Sequence, residues 1–182
     1  MQNTKNRLKY DLFMELLTVK PFQETLHGGY CGPASLKMVF EYYGLEKSEE
    51  ELAVACNRDP NLGVSSETMI DVARKYGFDA EVKNNSDFFE IESWLKKKAP
   101  VIVNWFSPGR KDAETHEMPE GHSSVVVALD DEKIYLQDPE IGGLREISRN
   151  DFLRVWFDFP GPAITKPSDI ILRQIVIIRP KE

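Results

Sequence analysis

The sequence predicts an α+β fold, with helices in the first half of the chain and an antiparallel sheet in the second. Before Pro100, apolar residues recur three and four positions apart, which is the spacing of amphipathic helices. After Pro100, β-branched residues dominate short runs bounded by turn residues, which is typical of strands. Because the helices precede the strands rather than alternate with them, a doubly wound parallel sheet is not expected.

The length and composition are typical of one globular domain. The chain has 182 residues, of which 41% are hydrophobic and 29% charged, enough to form a substantial single core. We therefore expect a single domain over residues 1–182. Its core runs from about residue 21 to residue 179, and residues 1–20 form an N-terminal appendage.

The charge distribution argues against several classes of function. Thirty acidic residues outnumber 23 basic ones, and the longest basic run is the three lysines at 96–98, so no nucleic-acid partner is expected. No segment reaches the ~18 apolar residues of a membrane span, and charges interrupt residues 1–20, so neither a span nor a signal peptide is predicted. Two cysteines are too few for a disulfide scaffold. We expect a cytoplasmic protein in which Cys31 and Cys56 are reduced.

The first half predicts helices with one strand among them. Leu8, Leu12 and Leu16 recur every four residues and predict a short amphipathic helix that ends before Pro21. Residues 21–29 form an extended lead-in to the next helix. Helices are then predicted over about residues 32–44, 48–56, 65–76 and 85–98, and a strand over residues 78–83.

Capping residues and apolar stripes define these helices. Ser48 and Glu51 form a capping box, and Ser65 or Ser66 caps the following helix. The residues expected on buried faces are Leu36, Val39, Phe40 and Tyr43 in the first of the four helices, and Phe88, Phe89, Ile91, Trp94 and Leu95 in the last. Trp105 and Trp156 are expected in the core or in the walls of a cleft.

The second half predicts strands over residues 101–105, 123–129 and 133–138, a short helix over 148–155 and a closing strand over 170–178. The turn Asp130-Asp131 joins the second and third of these strands as a hairpin. Because antiparallel partners run in opposite directions, the start of one strand lies beside the end of the other.

Cys31 is the first candidate for chemistry, because it stands at the predicted start of a helix. Unpaired backbone N–H groups and a partial positive charge at a helix start stabilise a thiolate, which is the nucleophilic form of cysteine. The alternative is that Cys31 is simply a small buried apolar residue. For Cys56, which follows Leu52 and Ala53 on a helix, core packing is the preferred interpretation.

His122 and Asp138 are the other candidates. His122 precedes the strand over residues 123–129 and Asp138 ends its hairpin partner, so the two side chains can lie together. A nucleophilic cysteine needs a histidine to exchange its proton, and that histidine needs an acceptor to fix its orientation. The alternatives are a surface histidine at a strand end and an ordinary turn residue before a proline.

The polar loop over residues 107–120 also carries potential metal ligands. The set Glu114, His116, Glu117, Glu120 and His122 is irregularly spaced, which does not fit the patterns of zinc sites. We interpret this loop as a solvated lid over the site, and we expect neither a metal nor a cofactor.

Several ordered motifs resemble the bacteriocin-processing cysteine peptidases that remove double-glycine leaders, together with their stand-alone relatives. The similarity runs from about Gln23 to Trp156. Its motifs are YCGPASL at 30–36 with YYG at 42–44, GVSS at 63–66 with KYG at 75–77, PVIV at 100–103, GHSSVVV at 121–127, DP at 138–139 with Gly142, and DF at 151–152.

The resemblance implies a papain-like fold whose helical half packs on the C-terminal antiparallel sheet. It implies that Cys31 is the nucleophile, His122 the general base and then acid, and Asp138 the orienting residue, in the chain order of papain-like enzymes. It further implies that a glutamine upstream of the cysteine donates to the oxyanion, and Gln23 is the residue that matches. The backbone N–H of Cys31 would be the second donor.

The expected function is a cysteine peptidase that cleaves a peptide or protein substrate through an acyl-enzyme. Two alternatives stay open: a peptide-binding module of the same fold without turnover, and a thiol acyltransferase that acts on a small metabolite. An open groove would favour peptide cleavage, and a closed pocket would favour the metabolite. The sequence makes no prediction of oligomeric state.

Overall fold

The structure is a computed structural model that describes residues 16–110 and 120–181, and it has the predicted α+β architecture. Its helices are α1 (Cys31–Tyr42), α2 (Glu49–Ala55), α3 (Ser66–Lys75), α4 (Phe88–Lys96) and α5 (Arg149–Val155). Its strands are β1 (Phe78–Lys83), β2 (Val101–Ser107), β3 (Glu120–Leu129), β4 (Lys133–Asp138), β5 (Gly143–Ser148), β6 (Phe157–Asp158), β7 (Ile171–Leu172) and β8 (Ile175–Pro180).

Six of these strands form the main sheet in the order β1-β8-β2-β3-β4-β5, with neighbouring strands antiparallel. Strand β8 lies between β1 and β2, although it comes last in sequence. Strands β6 and β7 form a separate two-stranded sheet. Helix α1 packs against β3, and this contact places the start of the helix beside the start of the strand.

Predicted side-chain caps start two of the helices. Ser48 and Glu51 form the reciprocal capping box of α2, and the Ser65 hydroxyl accepts the backbone N–H of Thr68 at the start of α3. Helix α4 starts later than predicted, because Asp87 caps it by accepting the N–H of Glu90. With that start, Ile91 and Leu95 are buried.

The prediction that Phe89 lies on the buried face of this helix is wrong, since its side chain is 76% exposed. On α1, Leu36, Val39 and Phe40 are fully buried as predicted, and the Phe40 ring stacks on Phe78 with centroids 4.9 Å apart. Trp105 and Trp156 lie in the core.

The single strand predicted over residues 170–178 is also wrong, because this segment forms two strands in different sheets. Arg173, which separates β7 from β8, has a φ of +49°, a left-handed conformation that interrupts a strand. Strand β7 pairs with β6, whereas β8 enters the main sheet. Strand β5 was not predicted, since none of its residues is buried and half of its sequence GLREIS is polar.

The described part of the N-terminal segment runs along the sheet rather than forming a helix. The N–H of Leu17 donates to the carbonyl of Val127, and both Leu17 and Val19 are buried in the core. The amphipathic helix predicted around Leu8 and Leu12 lies outside the described residues, as do residues 111–119 of the predicted lid with His116. Among the described helices, none has the length and apolar character that crossing a membrane requires.

Candidate active site

Cys31 is the first residue of α1, and a tight turn delivers the chain to it. Gly29 has a φ of +70°, and a Cβ on this residue would lie 2.5 Å from the Cα of Gly63, so only glycine fits. The Arg58 guanidinium lies 4.0 Å from the centre of the Tyr30 ring and donates to the carbonyl of Gly28. The turn before Cys31 is therefore held from outside by residues that follow α2.

A hydrogen bond between α1 and β3 brings Cys31 to His122. The Ser35 hydroxyl, one helical turn after Cys31, donates to the carbonyl of Ser123 over 3.1 Å. Ser123 directly follows His122, which is the third residue of β3 rather than the residue before the strand. His122 is 4% exposed, and one of its ring nitrogens lies within 4.8 Å of the Cys31 sulfur.

Asp138, the last residue of β4, contacts the other side of the imidazole. Its Oδ1 lies 2.7 Å from His122 Nε2, so the remaining ring nitrogen, Nδ1, is the one available to Cys31. Burial by itself lowers the pKa of His122, but the hydrogen bonds to Asp138 and Cys31 outweigh it and raise that pKa well above its usual value. The geometry is that of an imidazole held between a thiol and a carboxylate.

Arg145 on β5 completes this group of charges. Its Nε lies 2.5 Å from Asp138 Oδ2, and its Nη2 lies 2.8 Å from Glu140 Oε2. Burial tends to raise the pKa of Asp138, but the hydrogen bond and charge of His122, together with the charge of Arg145, lower it below its usual value. Asp138 is thereby kept ionised although it is only 1% exposed.

Trp105 forms the wall behind the histidine. It pairs with His122 across β2 and β3, and their rings meet edge to face with centroids 5.8 Å apart. The Arg145 guanidinium lies 5.6 Å from the centre of the same indole. His122 is therefore restrained on three sides, by Asp138, Trp105 and the thiol.

Gln23 does not occupy the position that the resemblance implied. Its Nε2 donates to the carbonyls of Pro139 and Glu140, over 3.0 and 2.8 Å, which uses both amide protons. A Cβ on Gly142 would lie 2.8 Å from Gln23 Oε1, so the turn after β4 closes around this side chain. In this arrangement, main-chain carbonyls after β4 accept the Gln23 amide protons that the resemblance assigns to the oxyanion.

Glu24 lies in the site, and no periodicity or motif in the sequence marks it as a site residue. One carboxylate oxygen of Glu24, the Cys31 sulfur and a ring nitrogen of His122 all lie within 4.8 Å of one another. Burial raises the pKa of Glu24 to about 7. Arg145 was missed as well, because β5 was not recognised as the strand that pairs with β4.

Two groups of described residues have ligand-type atoms close enough for a metal ion: Glu24, Cys31 and His122, and His122 with Asp138 and Glu140. In the second group, Arg145 already binds both carboxylates as a cation. In the first, burial raises the pKa of Glu24 to about 7, so a metal ion would have to displace a proton that this carboxyl still partly holds at neutral pH. We therefore assign neither group to a metal.

Cys56 has the structural role that the sequence predicted. Both cysteines are free thiols, and Cys56 is 3% exposed within the core. Burial raises the pKa of Cys56 to about 11, which makes it a poor nucleophile at neutral pH.

Residues 16–163 match a family model described as the Peptidase_C39-like family. No curated protein matches the sequence significantly.

Solved structures show the same fold at low sequence identity. The peptidase domain of Streptococcus ComA, a bifunctional ABC transporter involved in quorum sensing, is 17% identical with a TM-score of 0.64, covering 89% of this chain and 99% of that one. A C39-like peptidase from Bacillus anthracis is 19% identical with a TM-score of 0.63, covering 92% and 98%. A double-glycine-motif protease of an AMS/PCAT transporter, solved with its leader peptide, is 23% identical with a TM-score of 0.60, covering 88% and 91%.

Proposed function

The chain belongs to the Peptidase_C39-like family, and from that premise we propose that it is a cysteine peptidase in which Cys31, His122 and Asp138 form the catalytic triad. The observation that carries the proposal is the arrangement of a thiol and a carboxylate on opposite sides of one imidazole. His122 meets the Cys31 thiol on one side and, through Nε2, the Asp138 carboxylate on the other. The papain-like fold of the structural neighbours supports the same assignment.

The proposed reaction proceeds in two halves. The Cys31 sulfur gives its proton to His122 and attacks the carbonyl carbon of a peptide bond, which forms a C–S bond and a tetrahedral oxyanion. The oxyanion collapses, the C–N bond breaks, and His122 protonates the leaving amine. Water, deprotonated by His122, then attacks the thioester, releases the new carboxyl terminus and regenerates the thiol.

Asp138 and the helix start have supporting roles in this scheme. Asp138 fixes the ring so that Nδ1 faces the sulfur, and its charge stabilises the imidazolium that forms in each half-reaction. The backbone N–H of Cys31, at the first position of α1, has no partner within the helix and is the main-chain donor to the oxyanion.

The first test measures the reactivity of the Cys31 thiol. In a Cys56→Ala background that leaves one thiol, we expect iodoacetamide to alkylate Cys31 at pH 6 at least about tenfold faster than it alkylates a free cysteine derivative. Replacement of His122 by Ala or Gln should remove this advantage, and thermal melting should show that both variants are folded. Equal rates in the wild type and both variants would refute the dyad.

The second test addresses peptide cleavage against the two alternatives. A complex peptide library is incubated with the protein, and mass spectrometry detects new termini that are absent with Cys31→Ala. Cleavage supports the peptidase. Binding of peptides without new termini would favour the peptide-binding module, and acyl transfer to an added amine without hydrolysis would favour the acyltransferase.

A further inference from the structure

Glu24 is an acidic residue close to the proposed nucleophile, and the proposed mechanism does not use it. Its backbone N–H donates to the carbonyl of Pro139 over 3.0 Å, which fixes it beside the end of β4. One of its carboxylate oxygens lies within 4.8 Å of the Cys31 sulfur and of a His122 nitrogen. Its Oε2 is buried and has no hydrogen-bond partner among the described residues.

A buried polar atom without a partner is costly, and at an active site it points to a ligand atom that binds there. A donor to the oxyanion must lie about 2.7–3.1 Å from the oxygen that develops next to the attacking sulfur. One oxygen of the Glu24 carboxyl lies within 4.8 Å of that sulfur, and the oxyanion forms on the carbon that bonds to the sulfur, so the two groups are neighbours in the site. The Gln23 amide cannot serve in this arrangement, because the carbonyls of Pro139 and Glu140 accept both of its protons.

We propose that Glu24 is the side-chain donor of the oxyanion hole and that it acts as a neutral carboxylic acid whose O–H hydrogen-bonds to the developing oxyanion. This inference rests on the proposed function. The proton stays on Glu24 throughout: the hydrogen bond strengthens as Cys31 adds to the carbonyl, and it weakens as the oxyanion collapses and the leaving group departs. No proton is transferred, so His122 remains the acid and base.

The surroundings of Glu24 favour the neutral form that this role requires. Burial is the main cause that raises its pKa to about 7. Asp138 at the end of β4, Glu140 in the turn that follows, and Glu49 at the start of α2 raise it further, whereas His122 on β3 opposes them. Arg145 does not reverse this balance, since it is paired with both Asp138 and Glu140.

A consequence for the pH dependence follows from this balance. Below pH of about 7, Glu24 carries a proton and can donate. Above it, the ionised carboxylate has no proton to donate and places a negative charge beside the developing oxyanion, which raises the energy of the transition state. A glutamine at position 24 would donate at every pH, because an amide does not titrate in this range.

The experiment uses two reagents that react with the same thiol, in the full chain with Cys56→Ala. Iodoacetamide forms a C–S bond and releases iodide without an oxyanion. 4-Nitrophenyl acetate forms a tetrahedral oxyanion and then a thioester, and releases 4-nitrophenolate. The ratio of the acylation rate to the alkylation rate isolates oxyanion stabilisation, since both reactions need the same thiolate. The alkylation rate and the thermal melt report in each sample whether the site is intact.

We expect Glu24→Ala to lower this ratio at pH 6 by at least about tenfold, toward the 10²–10³ measured for loss of one oxyanion donor elsewhere. In the wild type, the ratio should fall as pH rises through about 7. At pH 6, the ratio in Glu24→Gln should be close to that of the wild type, and it should no longer decrease as pH rises. Gln23→Ala is the matched comparison. Its ratio should still decrease as pH rises through about 7, because Glu24 still titrates.

Two results would overturn the inference while leaving the triad in place. One is a Glu24→Ala ratio within about twofold of the wild type. The other is a ratio that drops in Gln23→Ala and not in Glu24→Ala, which would assign donation to Gln23. If alkylation of Cys31 does not depend on His122, the proposed function fails and this inference fails with it.

Discussion

Replacing Arg145 with Met should destabilise the fold strongly, because the guanidinium neutralises a buried group of charges. His122 as imidazolium and Arg145 balance Asp138 and Glu140, and the side chains of the two acids are 0% and 8% exposed. Removal of Arg145 leaves one uncompensated negative charge in the core. Breaking such a buried pair costs about 3–5 kcal/mol. For a chain of this size, the expected fall in Tm is about 6–20 °C.

The assay is urea unfolding at pH 7, followed by fluorescence of the buried tryptophans. The double variant Arg145→Met, Glu140→Gln removes one charge of each sign, and it should recover part of the lost free energy, because the remaining His122–Asp138 pair is neutral overall. Lys133→Met is the matched control on the same pair of strands. Lys133 and Glu146 form an exposed ion pair that is worth about 0–1 kcal/mol.

Two results would refute this prediction. One is that Arg145→Met lowers the free energy of unfolding no more than Lys133→Met does, and the other is that the double variant recovers none of the lost free energy. Either result would mean that Asp138 and Glu140 do not need a cation to remain buried.

Three further predictions test other parts of the structure. Asp138→Asn removes the carboxylate that raises the pKa of His122, so the NMR titration of the His122 ring should move to lower pH; an unchanged titration would contradict the contact. Phe152→Ala opens a cavity in the core and should cost about 3–5 kcal/mol in urea unfolding, whereas its exposed neighbour Leu153→Ala should change stability by about 0.5 kcal/mol or less. The pKa of Glu24 is raised in the folded state, so the unfolded chain releases this proton first, and the wild type loses stability as pH rises from about 4.5 to about 7. The free energy of unfolding of Glu24→Gln relative to the wild type should therefore increase by about 2–3 kcal/mol over that range. A constant difference would contradict the raised pKa.

The sequence predicted those parts of the fold that local chemistry determines. Ser48 with Glu51 and Ser65 with Thr68 fix helix starts through contacts within four residues, so a reader of the sequence can find them. The proximity of His122 and Asp138 could also be predicted from the sequence, because a short hairpin brings its two ends together.

The features that were missed depend on contacts between distant parts of the chain. The Gln23 side chain is held by the turn after β4, more than a hundred residues later in the chain, which accepts both of its amide protons. Arg145 belongs to a half-exposed strand whose polar sequence resembles a loop. Phe89 is exposed because the Asp87 cap sets the start of α4 and thus which side of that helix faces the core.

The position of β8 between β1 and β2 affects the order in which the protein can fold. Among the described residues, β8 is the only strand that pairs with β1, so β1 joins β2–β5 through residues 175–180. Pairing of Phe78 with Pro180 closes a loop of about one hundred residues, and such non-local pairings slow folding through their entropic cost. The hairpin that carries His122 and Asp138 can form early, since its contacts are local. Completion of the sheet around it must wait until residues 175–180 are in place.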